Sequence, residues 1–538
     1  MIISRTGNKE WINRHETFEQ PIHDLYDLAN DDTGSVLNDY NDTTRGIQGI
    51  IKEAIDKNLH VRALGGEWSW SKIAATDGIL LNTKPLNLTF RISDASVSPH
   101  YGKSDVAGSV TSAGSVTSSP AKTSADLYFV QCGVSIQELS KALKRKGRSI
   151  RTSGASNGQT VAGALSTGTH GAAIDFGSIT EFIVGLHLIV SPTRHIWLER
   201  KSYPVASDTL INKLNTVRVA DDDLFNAALV SFGSFGFIHG IMVETEPLFL
   251  YECHRIQMPF DNALFKMMKS LDFTDSPLPH GSERPFHFQV VLNPYDIANG
   301  VFVTCMYKRP YTTDYTPPAL ATSSIVPGDD APAFIGGLVG LIPSLIPVAV
   351  NTLVGAQYKP FANVWGTHAE IFTNTDLHGR VFSSAMGFAP IDVLRATEIL
   401  LDLNEREQFS GIYSYRWVKG TQATLGFQQF EHTCVIEIDG EYSERSVDFC
   451  RNYWQALDAA GIRYTFHWGK TLELNATSIR SMYGSERVNA WLFARKTLMQ
   501  DPSSMRAFTN DLMVDWGLDT ILPGDTQESV GSATPVIA

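Results

Sequence analysis

The segment from Arg151 to Gly171, RTSGASNGQTVAGALSTGTHG, constrains the fold more than any other stretch, because its density of glycine, serine and threonine leaves few side chains large enough to build a core. Such a segment brings main chain close to a partner. Lacking a Cβ, Gly154, Gly158, Gly163, Gly168 and Gly171 can take unusual backbone angles and let a bulky ligand approach backbone N–H groups. The hydroxyls of Thr160, Ser166, Thr167 and Thr169 add donors suited to phosphate.

Two further segments share this character. Ile50, Ile51, Ala54 and Ile55 mark the apolar face of a helix, and Val61-Arg62-Ala63-Leu64 reads as a short strand running into the turn Gly65-Gly66-Glu67-Trp68-Ser69. Later, Phe232-Gly233-Ser234-Phe235-Gly236-Phe237-Ile238 follows a helix that Asp221 or Asp222 caps.

At 538 residues the chain exceeds a single typical core, which predicts two domains. Its 43% hydrophobic and 19% charged residues are those of an ordinary soluble globular protein. A net charge of −13 argues against nucleic acid or anionic membrane as a general partner, since phosphate surfaces attract basic ones. Cys132, Cys253, Cys305, Cys434 and Cys450 are scattered with no CxxC pair, so the expectation is free thiols in a reducing compartment and no metal site. The opening residues MIISRTGNKEWINRH lack the apolar core of a signal peptide, which makes the cytoplasm the expected location.

Between Ser93 and Asp126 a Ser/Thr/Gly/Ala-rich stretch is too poor in apolar residues for a core and reads as an exposed, mobile insertion. A strand is expected over Leu127 to Gln131, then a helix capped by Ser135 and ended by Gly147. Ile183 to Val190 and His195 to Glu199 form a hairpin across Ser191-Pro192-Thr193-Arg194. After Pro247 the pattern mixes strands (FHFQVVLN, VFVTCMYK) with an amphipathic helix (IDVLRATEILLDL). Phe334 to Val350 is uncharged and near the short limit of roughly 17–25 residues for a membrane span, but Pro343 and Pro347 disfavour a continuous spanning helix. It reads as a buried cap segment, with an apolar lid or a weak membrane contact as the alternatives.

Together, the Gly65 turn, the Arg151 to Gly171 segment and the Phe232 to Ile238 segment resemble the PCMH-type FAD-binding domain of the vanillyl-alcohol oxidase superfamily. Near the C-terminus, Phe466-His467-Trp468-Gly469-Lys470 is similar to the motif of the aldonolactone and alditol oxidase branch, and Tyr415-Arg416-Trp417 resembles the strand that carries that branch's active-site arginine. The resemblance implies an α+β, two-domain fold. It places an FAD-binding domain over 1–247, with the mobile insertion at 93–126, and a cap over 248–470 built on an antiparallel sheet flanked by helices. A return to the FAD domain follows over 471–522, and a disordered tail over 523–538.

The residues implied to hold FAD are Arg62, Leu64, Gly65, Gly66, Glu67, Trp68, Ser69 and Ser71 in the first turn, and Gly233, Gly236 and Ile238 in the third segment. Between them come Gly154, Gln159, Thr160, Gly163, Ser166, Thr167, Gly168, Thr169, His170 and Gly171, with Lys470 added from the C-terminal motif. His170 is read as cofactor-binding, with a structural hydrogen bond as the alternative. The family's first turn usually carries a histidine bonded covalently to flavin, and Trp68 stands there instead; no cysteine in Arg151 to Gly171 could make a second linkage. FAD is therefore expected to bind non-covalently.

The implied catalytic residues are Arg416 and Lys470 as fixed cations near the reacting centre, His467 as a proton acceptor or orienting group, and Ser414. Ser414 stands where polyol-oxidising and lactone-oxidising relatives carry Glu two residues before the arginine. The expected reaction is oxidation of a CH–OH donor, an aldonolactone, alditol or related small molecule, by hydride transfer to FAD, with oxygen or another acceptor completing the cycle. Residues near Asn82 to Asn87 bear on oxygen access, with either Lys84 or Pro85 at the decisive position. The neutral Ser414 and the aromatic cap residues Phe361, Trp365 and Trp417 leave open an apolar, sterol-like or natural-product alcohol. From other classes, Gly154-Ala155-Ser156-Asn157-Gly158 matches the serine-hydrolase elbow, and a flavin-binding protein without turnover is a further alternative. No G-x-G-x-x-G favours a Rossmann site, and Tyr464 stands where a P-loop before Gly469-Lys470-Thr471 needs glycine.

Overall fold

Strands before Pro247 assemble two larger sheets and strands from Phe249 onward a third, with two small two-stranded sheets beside them. The structure, a computed structural model, describes residues 1–103, 122–318, 343–375 and 380–520. In the first sheet Asp24–Ala29 and Val61–Leu64 flank Ile79–Asn82 in parallel, with Ile2–Arg5 antiparallel at the edge. The expected helix is longer than its apolar core suggested, Val36–Asp56. Ser35 caps it, and Ile47, Ile50, Ile51 and Ala54 are buried.

The second sheet runs in the order Val217–Ala220, Arg194–Glu199, Ile183–Ser191, Phe237–Glu244, Leu127–Gln131, Thr89–Arg91. The hairpin pairs Leu186 with Leu198 and Leu188 with Ile196. Ser135 caps the helix Ile136–Lys144, and Asp221 is the cap of Asp222–Leu229. The helices Ser485–Met499 and Asp511–Asp515 pack back against this half. Trp491 Nε1 donates to the Val230 carbonyl at 2.9 Å, and Arg495 Nε to that of Ser234 at 3.0 Å.

The third sheet orders its strands Phe361–Gly366, Phe249–Met258, Val301–Pro310, His287–Leu292, Gly411–Lys419, His432–Glu441, Val381–Phe388, Tyr464–Phe466, all antiparallel. Side chains alternate across a strand, so Tyr413, Tyr415 and Trp417 join the core under the helices Asn262–Ser270, Val393–Glu407 and Glu444–Ala459. Ser414 and Arg416 take the other face. There Glu437 lies opposite Ser414 and Gln289 opposite Arg416. This polar face is turned to the first domain, whose Ala172 carbonyl accepts from Phe288 N–H and whose His170 lies 3.7 Å from Glu437.

The expected exposed insertion is mixed where it begins: Ser93, Asp94, Ala95, Pro99 and His100 are exposed, but Ser96, Ser98 and Tyr101 are buried, and Tyr101 Oη donates to Glu244 at 2.8 Å. Residues 104–121 of it lie outside the described residues, as do the first part of Phe334 to Val350 and the tail from Pro523. In the helix Ile346–Gln357, Ile346, Val350 and Val354 pack with Phe302 and Ile412, while Leu345 and Val348 remain exposed. No described helix is long and apolar enough to cross a membrane. All five cysteines are buried and unpaired with one another.

Candidate active site

Between the first domain and the polar face of the cap lies a cleft of about 1490 Å³, part of it open to solvent. Three turns line one side. The strand Val61–Leu64 ends at Gly65, where an added Cβ would lie 2.2 Å from Thr160 Oγ1; one on Gly66 would lie 2.5 Å from the Gly158 carbonyl. Backbone thus packs directly on backbone. Glu67 takes a φ of 61°, which non-glycine residues seldom adopt, and accepts from Trp11 Nε1 at 2.8 Å.

The Arg151 to Gly171 segment is not an open loop throughout. Thr160 accepts from Gly163 N–H and begins a short helix, Val161–Ser166. Ser166 and Thr167 give their hydroxyls to carbonyls one turn back, at 2.8 and 3.3 Å. In the third turn Phe232, Gly233 and Gly236 have φ of 55°, 66° and 87°. Arg62 ties the first turn to the third by donating from Nη1 to the Phe232 carbonyl at 2.7 Å. Burial, with Arg495 nearby, pulls its guanidinium down to about 9.

Of the residues expected to contact the cofactor, Arg62, Leu64, Gly65, Gly66, Glu67, Trp68, Ser69, Ser71, Gly154, Gln159, Thr160, Gly163, Ser166, Thr167, Thr169, His170, Gly233, Gly236, Ile238 and Lys470 line the cleft. Gly168 and Gly171 do not. Gly168 takes a φ of 70° after the short helix and accepts from Gln428 Nε2 at 3.2 Å. A Cβ on Gly171 would lie 2.3 Å from the Ser153 carbonyl, so chain packing accounts for this glycine. The cleft fits FAD on two grounds. Its glycines bring main chain to the surface, and Trp68 Nε1 and Gln159 Oε1 are buried without a hydrogen-bond partner.

At the inner end, charge gathers from three elements. Arg416 lies on Gly411–Lys419, Glu437 on His432–Glu441, and His467 with Lys470 just after Tyr464–Phe466. Arg416 Nη1 is 3.4 Å from Glu437 Oε1, and His170 Nε2 is 3.7 Å from the same oxygen. Burial by itself would raise the Glu437 carboxyl, but Arg416 and Lys470 override it and hold it below the usual carboxylate range. Lys470 Nζ donates to Ser383 Oγ at 2.6 Å and lies over the Trp70 ring.

The two imidazoles differ. Burial holds His170 at about 4 and His467 well below its ordinary value, so both are neutral near pH 7. His170 Nδ1 donates to the Gly171 carbonyl at 2.8 Å, which leaves a bare lone pair on Nε2. His467 Nδ1 instead accepts from Gly469 N–H at 3.0 Å, which puts its proton on Nε2. His467, expected as a proton acceptor or an orienting group, thus presents a donor, and His170 presents the acceptor.

Ser414 does not line the cleft. It is fully buried and donates to Glu437 Oε2 at 3.3 Å. Phe361, Trp365 and Trp417 also stay out of the cleft, and Trp417 Nε1 donates to the Met268 carbonyl on the helix side. Ser156 lines it but meets no histidine among the described residues; His368 bonds Ser153 instead, at 2.8 Å. Among lining residues, sequence reasoning missed Trp11, Trp70, Cys132, Phe508 and, above all, Glu437. The signal for Glu437 was an acid inside the apolar run Cys434-Val435-Ile436-Glu437-Ile438, since a buried acid needs a partner. Elsewhere, Glu252, His254 and His280 converge, but Arg309 donates to Glu252 at 2.8 Å and the group closes as a hydrogen-bond network.

Residues 122–197 match the family described as FAD binding domain. Over 123 residues the chain is 32% identical to a putative D-arabinono-1,4-lactone oxidase of Neurospora crassa, covering 23% of this chain and 19% of that protein. It is 25% identical over 217 residues to D-arabinono-1,4-lactone oxidase of Candida glabrata, 40% of this chain and 33% of the relative. The matches therefore span a third or less of these relatives' lengths. Cholesterol oxidase from B. sterolicum shares the fold along nearly the whole chain, with a TM-score of 0.67, 13% identity and coverage of 96% and 97%. With the glycine cradle on one side of the cleft and the charged sheet face on the other, the chain carries an FAD-binding domain sequence over 122–197, is similar in sequence to aldonolactone oxidases and in fold to a cholesterol oxidase, and FAD is its cofactor.

Proposed function

We propose that this chain oxidises a CH–OH group of a hydroxylated small molecule of the aldonolactone or alditol class, with FAD bound non-covalently. The observation that carries the proposal is the convergence of Arg416, Glu437, His170, His467 and Lys470 at one end of a cleft whose other walls are glycine turns. When bound, FAD supplies the two-electron acceptor for hydride and passes the electrons to oxygen or another acceptor. The cradle would be Gly65, Gly66, Trp68, Gln159, Thr160 and the Phe232 to Ile238 turn. Arg416 and Lys470 supply positive potential where negative charge develops, in a site that burial keeps at low dielectric. The His170 Nε2 lone pair can accept the hydroxyl proton, and His467 Nε2–H can hold the substrate oxygen. Five buried, unpaired thiols support a reducing compartment such as the cytoplasm.

Anaerobic mixing of FAD-loaded protein with a panel of aldonolactones, alditols and simple alcohols tests the proposal. Bleaching of the flavin band by a hydroxylated donor is the expected result; absence of a flavin band after FAD addition, or a band that no donor bleaches, overturns it. Timed reoxidation in air then separates oxidase from dehydrogenase.

A further inference from the structure

We infer that Glu437 is the carboxylate that binds substrate hydroxyls, and that it commits the site to a polyhydroxylated rather than an apolar donor. This rests on the proposed oxidation of a CH–OH group. Residues 414 and 437 are direct partners in the antiparallel register, on the sheet face turned to the cleft. Partners of this kind hold their Cβ atoms about 5 Å apart, so a carboxylate can pass from one strand to the other and stay within reach of the same ligand.

The surroundings of Glu437 are those of a binding group rather than a packing one. It is 1% exposed, yet it lines the cleft, while Ser414 is 0% exposed and lies behind it. Ser414 donates to Oε2 at 3.3 Å, a long bond, and Oε1 faces Arg416 at 3.4 Å and the unprotonated Nε2 of His170 at 3.7 Å. Ionised carboxylate oxygens offer about four acceptor sites between them, more than these contacts fill. Neighbouring hydroxyls on one substrate are donors of the right kind for the remainder. A sterol-like alcohol brings a single hydroxyl and would leave the buried carboxylate short of donors, which is where polar sites reject apolar analogues most strongly.

The test is the dissociation constant of each probe for FAD-loaded protein, read from the flavin difference spectrum without air or turnover. The probes are a C5 aldono-1,4-lactone, a C5 alditol and cyclohexanol. Glu437→Gln keeps the shape and removes the charge; it should weaken lactone and alditol binding about 10- to 100-fold, as for loss of a charged hydrogen-bond partner, and leave cyclohexanol unchanged. Unchanged lactone and alditol constants in this variant overturn the inference. Because the variant removes the negative charge facing Arg416 and can misfold, the exchange S414E/E437S is the second arm. It should stay within about tenfold of wild type for both polyhydroxylated probes, whereas a flavin-loaded exchange protein that binds neither overturns the inference. Wild-type protein that binds cyclohexanol more tightly than the lactone and alditol overturns the inference alone. Wild-type protein whose flavin responds to no probe counts against the oxidation itself.

Discussion

The two walls of the cleft are built by different means. The first domain presents main chain: Gly65, Gly66 and Gly158 lie where any Cβ would strike a neighbour, and the hydroxyls of Ser166 and Thr167 are turned back on their own helix. The cap presents side chains: Arg416, Glu437 and Lys470 come from separate strands or their ends and meet only through the sheet register. A backbone wall recognises a shape, and added bulk destroys it. A side-chain wall recognises charge, and a conservative exchange retunes it.

The strongest way to break this contrast is Gly65→Val. Its Cβ would displace the Thr160 hydroxyl that caps Val161–Ser166, so the first two turns would part. The expected outcome is protein purified without a flavin band and unable to take up added FAD, with helix content retained by circular dichroism. Bound flavin at wild-type level would show that side chains, not backbone, hold the cofactor. Gly163 is a gentler position, because a Cβ there would lie 3.1 Å from Thr160 Oγ1; Gly168 has room, with Val230 3.6 Å away, but its φ of 70° strains any side chain.

On the cap side, Arg416→Met removes a cation and leaves Glu437 buried without it. Breaking a buried pair in this way costs about 3–5 kcal/mol, and the expected result is a lower melting temperature together with nearly complete loss of anaerobic flavin reduction. Lys470→Met should act more mildly, slowing reduction about 10- to 100-fold with flavin still bound, because Lys470 is only partly buried and leans on Ser383. Equal flavin loss in both variants would erase the distinction between the walls.

Acid probes the seam where they meet. Burial lowers His170 to about 4, below the roughly 6.5 of an unfolded histidine, so between these values the unfolded chain binds a proton that the folded chain refuses. Stability contributed by this residue is complete above pH 6.5 and falls as the pH drops towards 4, by about 2 kcal/mol at pH 5. Melting curves at pH 7.5 and 5 should differ less in His170→Gln than in wild type. An equal difference in both proteins would place the acid sensitivity elsewhere.

The same division decides what was legible in the sequence. Glycine turns next to strands are local patterns, so the segments at Gly65, Arg151 to Gly171 and Phe232 were visible. What sequence spacing cannot carry is cross-strand register. Glu437 meets Ser414 only after the sheet forms, which is why Ser414 drew attention in its place. Trp417 was expected to help line an apolar cap, but odd and even positions of a strand face opposite ways, and it went with the tyrosines. The tautomers of His170 and His467 were equally hidden, since each is set by a backbone partner within two residues whose orientation depends on the fold.

The smallest expected effect falls on Trp68, a large side chain set into the backbone wall. Its ring fits between turns: a Cβ on Gly66 or on Gly158 would lie 2.7 Å from the indole. If main chain carries most of the cofactor's affinity, Trp68→Leu should weaken FAD binding by only about 0.5–1.5 kcal/mol, the range for a lost aromatic contact, or roughly tenfold at most. Equilibrium dialysis against FAD measures this directly, and acid precipitation should release flavin from both wild type and variant, because neither has a histidine at residue 68. A hundredfold loss of affinity would make Trp68 the principal clamp, and flavin that stays with precipitated wild-type protein would reveal a covalent bond at some other residue.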